Sequence, residues 1–138
     1  MNKFVIAVCL LCGWFYALVG VLLFCTPSLF FYRVAPIGLY NEHYAMDLGS
    51  FILPLGVFLI WAAWSRRWAQ PVLMIAALGS ALHLTSHLRY GGHSQKSVAA
   101  DISFALIVGL VLAALYATGR PSFAGNAELT SSKENGQC

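Results

Sequence analysis

The chain has 138 residues, 59% of them hydrophobic and only 9% charged, with a formal net charge of +3 and a mean hydropathy of +0.74. A water-soluble domain carries about 25% charged residues, so this composition excludes one and points to an integral membrane protein. The small, scattered positive charge also excludes a nucleic-acid-binding surface.

Phe4 to Phe24 is an unbroken apolar run preceded only by Asn2 and Lys3. A signal peptide is the rival reading, because a positive charge precedes an apolar core. The run is longer than a signal core, and no small-x-small cleavage site follows it. At about 1.5 Å per residue it crosses a ~30 Å hydrocarbon layer, so residues 4–24 are expected to be the first transmembrane helix. Cys9, Gly13, Ala17 and Gly20 form a small-residue stripe of the kind that lets helices approach closely in lipid. Thr26, Pro27 and Ser28 end the run. The aromatic-rich stretch Phe30, Phe31, Tyr32 and Tyr40, broken by Pro36 and Gly38, is expected to be an interfacial surface loop.

The second span is expected over residues 44–64, entered through Asn41, Glu42 and His43. Asn41 suits the helix cap and Glu42 the positive end of the helix dipole. Asp47 lies more than a turn inside, where capping does not explain it, and Pro54 is a tolerated mid-membrane kink. Trp61, Trp64 and Trp68 with Arg66 and Arg67 mark the opposite interface. Pro71 then reads as a helix opener, and the third span is expected over residues 72–88, with Ala76, Ser80, His83 and His87 on one face. The loop Tyr90 to Ser97 holds His93. The fourth span is expected over residues 98–117, with Asp101 in its first turn above Ala105, Gly109 and Ala113. Residues 1–120 thus form one all-α four-helix membrane domain, and residues 121–138 a polar, disordered tail. The two halves show no internal repeat.

Four spans place the amino terminus, the middle loop and the tail on one side of the bilayer. That side holds Lys3, Arg66, Arg67, Arg120 and Lys133, and the other holds Arg33, Arg89 and Lys96. Both termini are therefore expected in the cytoplasm.

Ionisable residues inside a membrane are costly and are functional candidates by default. Here they gather by depth. His43 and His87 fall near the outer ends of their antiparallel helices, Asp47 and His83 one turn deeper, and Asp101 at a similar level. Two i, i+4 pairs, one His/Asp and one His/His, suit a transition metal such as copper, zinc or iron. His43, Asp47, His83 and His87 are the expected ligands, with Glu42 and Asp101 next in line. A hydrogen-bonded network joining Asp47 to His83 and Asp101 to Arg89 is the structural alternative. Haem between His43 and His83 or His87 is a further one, although these histidines sit close to the interface. Four histidines in all are too few for the histidine-rich boxes of a membrane di-iron hydroxylase. Cys9 and Cys12 form a CxxC at the far end of the first span, where a small buried hydrophobe explains each of them.

The pattern Asn41-x-His43-x-x-x-Asp47-x-Gly49, with HxxxH closing the next helix, resembles small four-helix bacterial membrane proteins of uncharacterised function. The architecture is also similar to the DoxX-like group, whose members include subunits of membrane oxidoreductases. The resemblance covers the four spans and not the tail. It implies a bacterial membrane location, expected to be the inner membrane, in an accessory or redox setting. It assigns no catalytic residue and leaves open whether the chain is an enzyme. Separately, the small-residue stripes in three helices and the small bundle, which has little core of its own, fit a non-catalytic subunit of a larger membrane complex. Lipid, other membrane subunits or further copies of itself are then the expected partners.

Overall fold

The computed structural model describes residues 1–34, 39–90 and 95–119; the tail, His93, Pro36 and Gly38 lie outside them. The described residues form five helices and no strand: α1 (Lys3–Cys25), α2 (Pro27–Arg33), α3 (Glu42–Ala62), α4 (Arg66–Tyr90) and α5 (Gln95–Gly119). Four of them, α1, α3, α4 and α5, are long and apolar enough to cross a membrane. Their outward faces carry Phe51, Phe58, Leu78, Leu82, Ile102, Leu106 and Leu112 in the open. In water such a coat would be a severe liability; against acyl chains it is the matching surface. This is the architecture of a multi-pass membrane protein.

Local chemistry sets the helix ends. Asn2 and Asn41 each cap a helix, their side-chain oxygens accepting from the backbone N–H groups of Phe4 and Tyr44 at 3.1 Å. Asn41 thus acts as its sequence position implies. Tyr90 still belongs to α4 and α5 begins at Gln95, so the expected Tyr90–Ser97 loop is shorter at both ends. The boundaries at Pro27 and Pro71 also differ from expectation. Pro27 ends α1 but also opens the seven-residue α2, because a proline in the first turn forfeits only an N–H that has no helical partner. The aromatic stretch is therefore partly helical, and Phe31, Tyr32 and Tyr40 meet in a cluster with ring centroids 5.2–5.8 Å apart. Likewise Pro71 does not open α4 but lies inside it. The helix starts at Arg66, where the Ser65 carbonyl accepts from Trp68 and Ala69 N–H, both at 3.0 Å. Only Ala63, Trp64 and Ser65 separate α3 from α4.

The four long helices run alternately up and down, with α1 packed most extensively on α3, and α4 on α5. Four glycines make the first contact close. A methyl group on Gly20 would sit 2.6 Å from Leu53 Cα, one on Gly49 2.8 Å from Phe24 N, and one on Gly56 would collide with Ala17 N. The small stripe of α1 is therefore consumed within the molecule, its Gly13 and Gly20 answering Gly56 and Gly49 at the same seven-residue spacing.

The apolar core is not central. Val5, Val8, Cys9 and Cys12 of α1, Leu59 and Ala62 of α3, Val72, Leu73 and Ala76 of α4, and Val111 and Ala114 of α5 are all buried together. Every one of these belongs to the half of the bundle that ends at the α3–α4 turn. Above them Tyr16 and Ser80, both buried, are hydrogen-bonded across the bundle at 2.5 Å. Past that pair the interior keeps apolar residues such as the buried Leu23, but α4 and α5 there bring in His83, His87 and Asp101.

Candidate functional site

His83 and His87 stand one turn apart on α4, their ring centroids 4.7 Å apart. The helical period puts them on one face, and that face meets α5. There Phe104 wedges against both rings, 4.5 Å from His83 and 5.2 Å from His87. Asp101, one turn before Phe104, brings Oδ1 to 3.2 Å from His87 Nδ1, and the two side chains are only 16% and 22% exposed. The aromatic ring and the apolar helix faces exclude water from one side of this group, while the ends of α4 and α5 flank the other.

The approach of His87 to Asp101 is unusual. Although the two atoms are within ion-pair distance, Asp101 Oδ1 is buried and accepts no hydrogen bond among the described residues. The carboxylate oxygen therefore lies off the direction in which Nδ1 would donate. A buried carboxylate oxygen without a donor is costly, and such orphans in a folded protein call for an explanation.

His43 and Asp47 do not join this group. They pair with each other along α3, Nε2 to Oδ2 at 3.5 Å, with side chains 88% and 59% exposed. The link expected between Asp47 and His83 is not formed, and His43, the expected axial partner for haem, stands on the outside of its helix. The reason is azimuth rather than depth. Gly49 and Gly56 bind α3 to α1, and Asp47, two residues before Gly49, is rotated by about 200° from that face. Glu42 is exposed at the first turn of the same helix. The six expected site residues thus separate into an outer trio on α3 and an interhelical trio of His83, His87 and Asp101. Among the described residues no three His, Cys, Asp or Glu side chains are gathered closely enough, as they stand, to hold a metal ion.

Asp101, ranked second on sequence, is the carboxylate that the fold brings to the histidines, and Phe104 was not singled out at all. The i, i+3 spacing of Asp101 and Phe104 on α5 was the available signal, since it places both on one helix face. Cys9 and Cys12 are buried in the apolar core at the opposite end, remote from the histidines. No family model, curated protein or solved structure matches the chain.

Proposed function

We propose that this chain is a multi-pass protein of the bacterial inner membrane, both termini cytoplasmic, whose working centre is a transition-metal site built from His83, His87 and Asp101. Two imidazoles and one carboxylate form a donor set suited to copper, zinc or iron. One observation carries the reading: the 3.2 Å separation of His87 Nδ1 and Asp101 Oδ1, with no hydrogen bond to that oxygen among the described residues. Two donor atoms sharing one ion at about 2.0–2.2 Å each are roughly 3 Å apart and point toward the ion rather than at each other. His83 is the candidate third ligand, and its ring must swing inward to reach the same point. The dry core at the other end leaves the outer face as the route of access, which fits metal handling or a redox-linked role, the latter in keeping with the DoxX-like resemblance. Metal analysis of detergent-purified protein beside a His83→Ala/His87→Ala variant tests this. Near-stoichiometric copper, zinc or iron in the parent and its loss in the variant are expected; equal, negligible metal in both overturns the reading.

A second reading, an accessory subunit of a larger membrane complex, draws on α5. Its Ala105, Gly109 and Ala113 are exposed, and a methyl group on Gly109 would meet no atom within 4 Å. This outward small-residue stripe is unused within the molecule and suits a helix from another subunit. Native-mass separation after gentle solubilisation distinguishes the two, a lone folded monomer that retains metal removing the second.

A further inference from the structure

On the side of the bundle formed by α3 and α4 runs an open groove of about 470 Å³, lined by Phe51, Leu55, Phe58, Trp61, Trp68 and Ile75 among others, all apolar. Its size falls in the range of small-molecule sites, about 300–1,000 Å³. Its length is more telling. From Phe51 to Trp61 the helix rises about 15 Å, half of a ~30 Å hydrocarbon core. The groove therefore extends over one leaflet, from the α3–α4 turn to the middle of the bilayer.

The end at the turn is cationic. Arg66 and Arg67 are exposed at the first turn of α4, and neither has an acidic partner among the described residues. Trp68 links the two regions. Its ring lines the groove beside Trp61, with centroids 6.0 Å apart, and the Arg67 guanidinium lies 5.7 Å from the same ring's centroid. An apolar channel one acyl chain long, ending in tryptophans and the Arg67 guanidinium with Arg66 beside it on the same turn, has the shape and charge of a phospholipid laid along the protein.

We infer that this groove is a binding site for an anionic phospholipid of the leaflet at the α3–α4 turn. An acyl chain lies against Phe51, Leu55, Phe58 and Ile75, and the phosphate is held by Arg67, with Arg66 on the same turn adding to the local positive potential. Guanidinium forks match phosphate oxygens in pairs, and cationic side chains at the membrane surface attract anionic lipid.

Tryptophan quenching by brominated lipid tests the site. The protein carries Trp14→Phe and Trp64→Phe so that Trp61 and Trp68 report, and it is reconstituted in nanodiscs doped with brominated phosphatidylglycerol or brominated phosphatidylcholine. A preference on the order of tenfold for phosphatidylglycerol is expected from two arginines. Arg66→Gln/Arg67→Gln abolishes the preference without changing the thermal melt. Ile75→Phe narrows the groove with both arginines kept, and it reduces quenching by either lipid. Equal quenching by the two lipids in the parent protein overturns the proposal in favour of ordinary solvation by bulk lipid. Absence of quenching by both overturns it in favour of a groove covered by another helix.

Discussion

Tyr16 on α1 and Ser80 on α4 share a hydrogen bond of 2.5 Å across the middle of the bundle. The Ser80 hydroxyl also lies 2.5 Å from the Ala76 carbonyl, which can only accept. Ser80 therefore donates its one proton to Ala76, and Tyr16 is the donor to Ser80. Both hydroxyls are buried, and this short relay is what ties the diagonal pair of helices.

The order of donation sets an asymmetry between the two single substitutions. Tyr16→Phe removes a donor but leaves Ser80 bonded to Ala76, so it is expected to cost about 0.5–1.5 kcal/mol, the net value of one hydrogen bond. Ser80→Ala strands the Tyr16 hydroxyl in an apolar interior and is expected to cost more, about 1–3 kcal/mol. The double variant should be no less stable than Ser80→Ala, since no orphan remains. Reversible unfolding in mixed detergent micelles, analysed as a double-mutant cycle, measures all three. Equal costs for the two single variants would contradict the assigned direction.

The glycines give a contrast within one residue type. Gly20→Ala and Gly56→Ala drive a methyl group into backbone atoms of the facing helix, at Leu53 and Ala17. Rigid backbone cannot yield as a side-chain tip can, so each should destabilise by about 1–3 kcal/mol. Gly79→Ala and Gly109→Ala meet nothing within 4 Å and should be neutral or stabilising by up to about 1 kcal/mol, through helix propensity alone. The same unfolding measurement checks both pairs.

Gly109→Leu tests the outward face of α5. Leucine at this open position blocks close approach by a foreign helix without touching the bundle. If α5 carries a partner, the substitution should shift the native mass of the gently solubilised protein to that of a monomer while the melt is preserved. An unchanged mass would show that this stripe faces only lipid.

The four spans were legible because membrane thickness sets a minimum apolar length, and Phe4–Phe24 meets it plainly. The cap at Asn41 was legible for the same kind of reason, a local rule with few exceptions. Arg66–Gln70 was not, since charged and aromatic residues at an interface read as a loop, whereas in the fold they form the first turns of α4. Pro27 also misled, because one residue can stop one helix and open the next.

The site was legible in depth and not in direction. Counting turns placed His43, Asp47, His83, His87 and Asp101 near one end of the bundle, and that is where they lie. A span that is apolar all round carries no polar stripe to show which side faces inward, so the azimuth of His43 and Asp47 could not be read from hydrophobicity. The matched spacing of Gly13 and Gly20 with Gly49 and Gly56 held that information. Those glycines mark the buried faces of α1 and α3, and helical geometry then carries Asp47 to the opposite side.

This division of the polar residues yields the prediction that most directly separates the interhelical trio from the outer one. Asp101→Asn keeps the size of the side chain but replaces a charged donor oxygen with a neutral amide, so it should abolish metal retention, as should His87→Ala. His43→Ala and Asp47→Asn alter an exposed pair on α3 and should leave metal content unchanged. Stability supplies an independent readout. A ligand that binds only the folded state stabilises it in proportion to the logarithm of its saturation, about 2.7 kcal/mol at a hundredfold excess over the dissociation constant. A chelator should therefore lower the melting temperature of the parent protein and of the α3 variants alike. In Asp101→Asn the chelator should have no effect, because no metal is left to remove. Loss of metal and of chelator sensitivity in His43→Ala or Asp47→Asn, with both retained in Asp101→Asn, would move the centre to α3 and reverse the assignment made from the contact of His87 with Asp101.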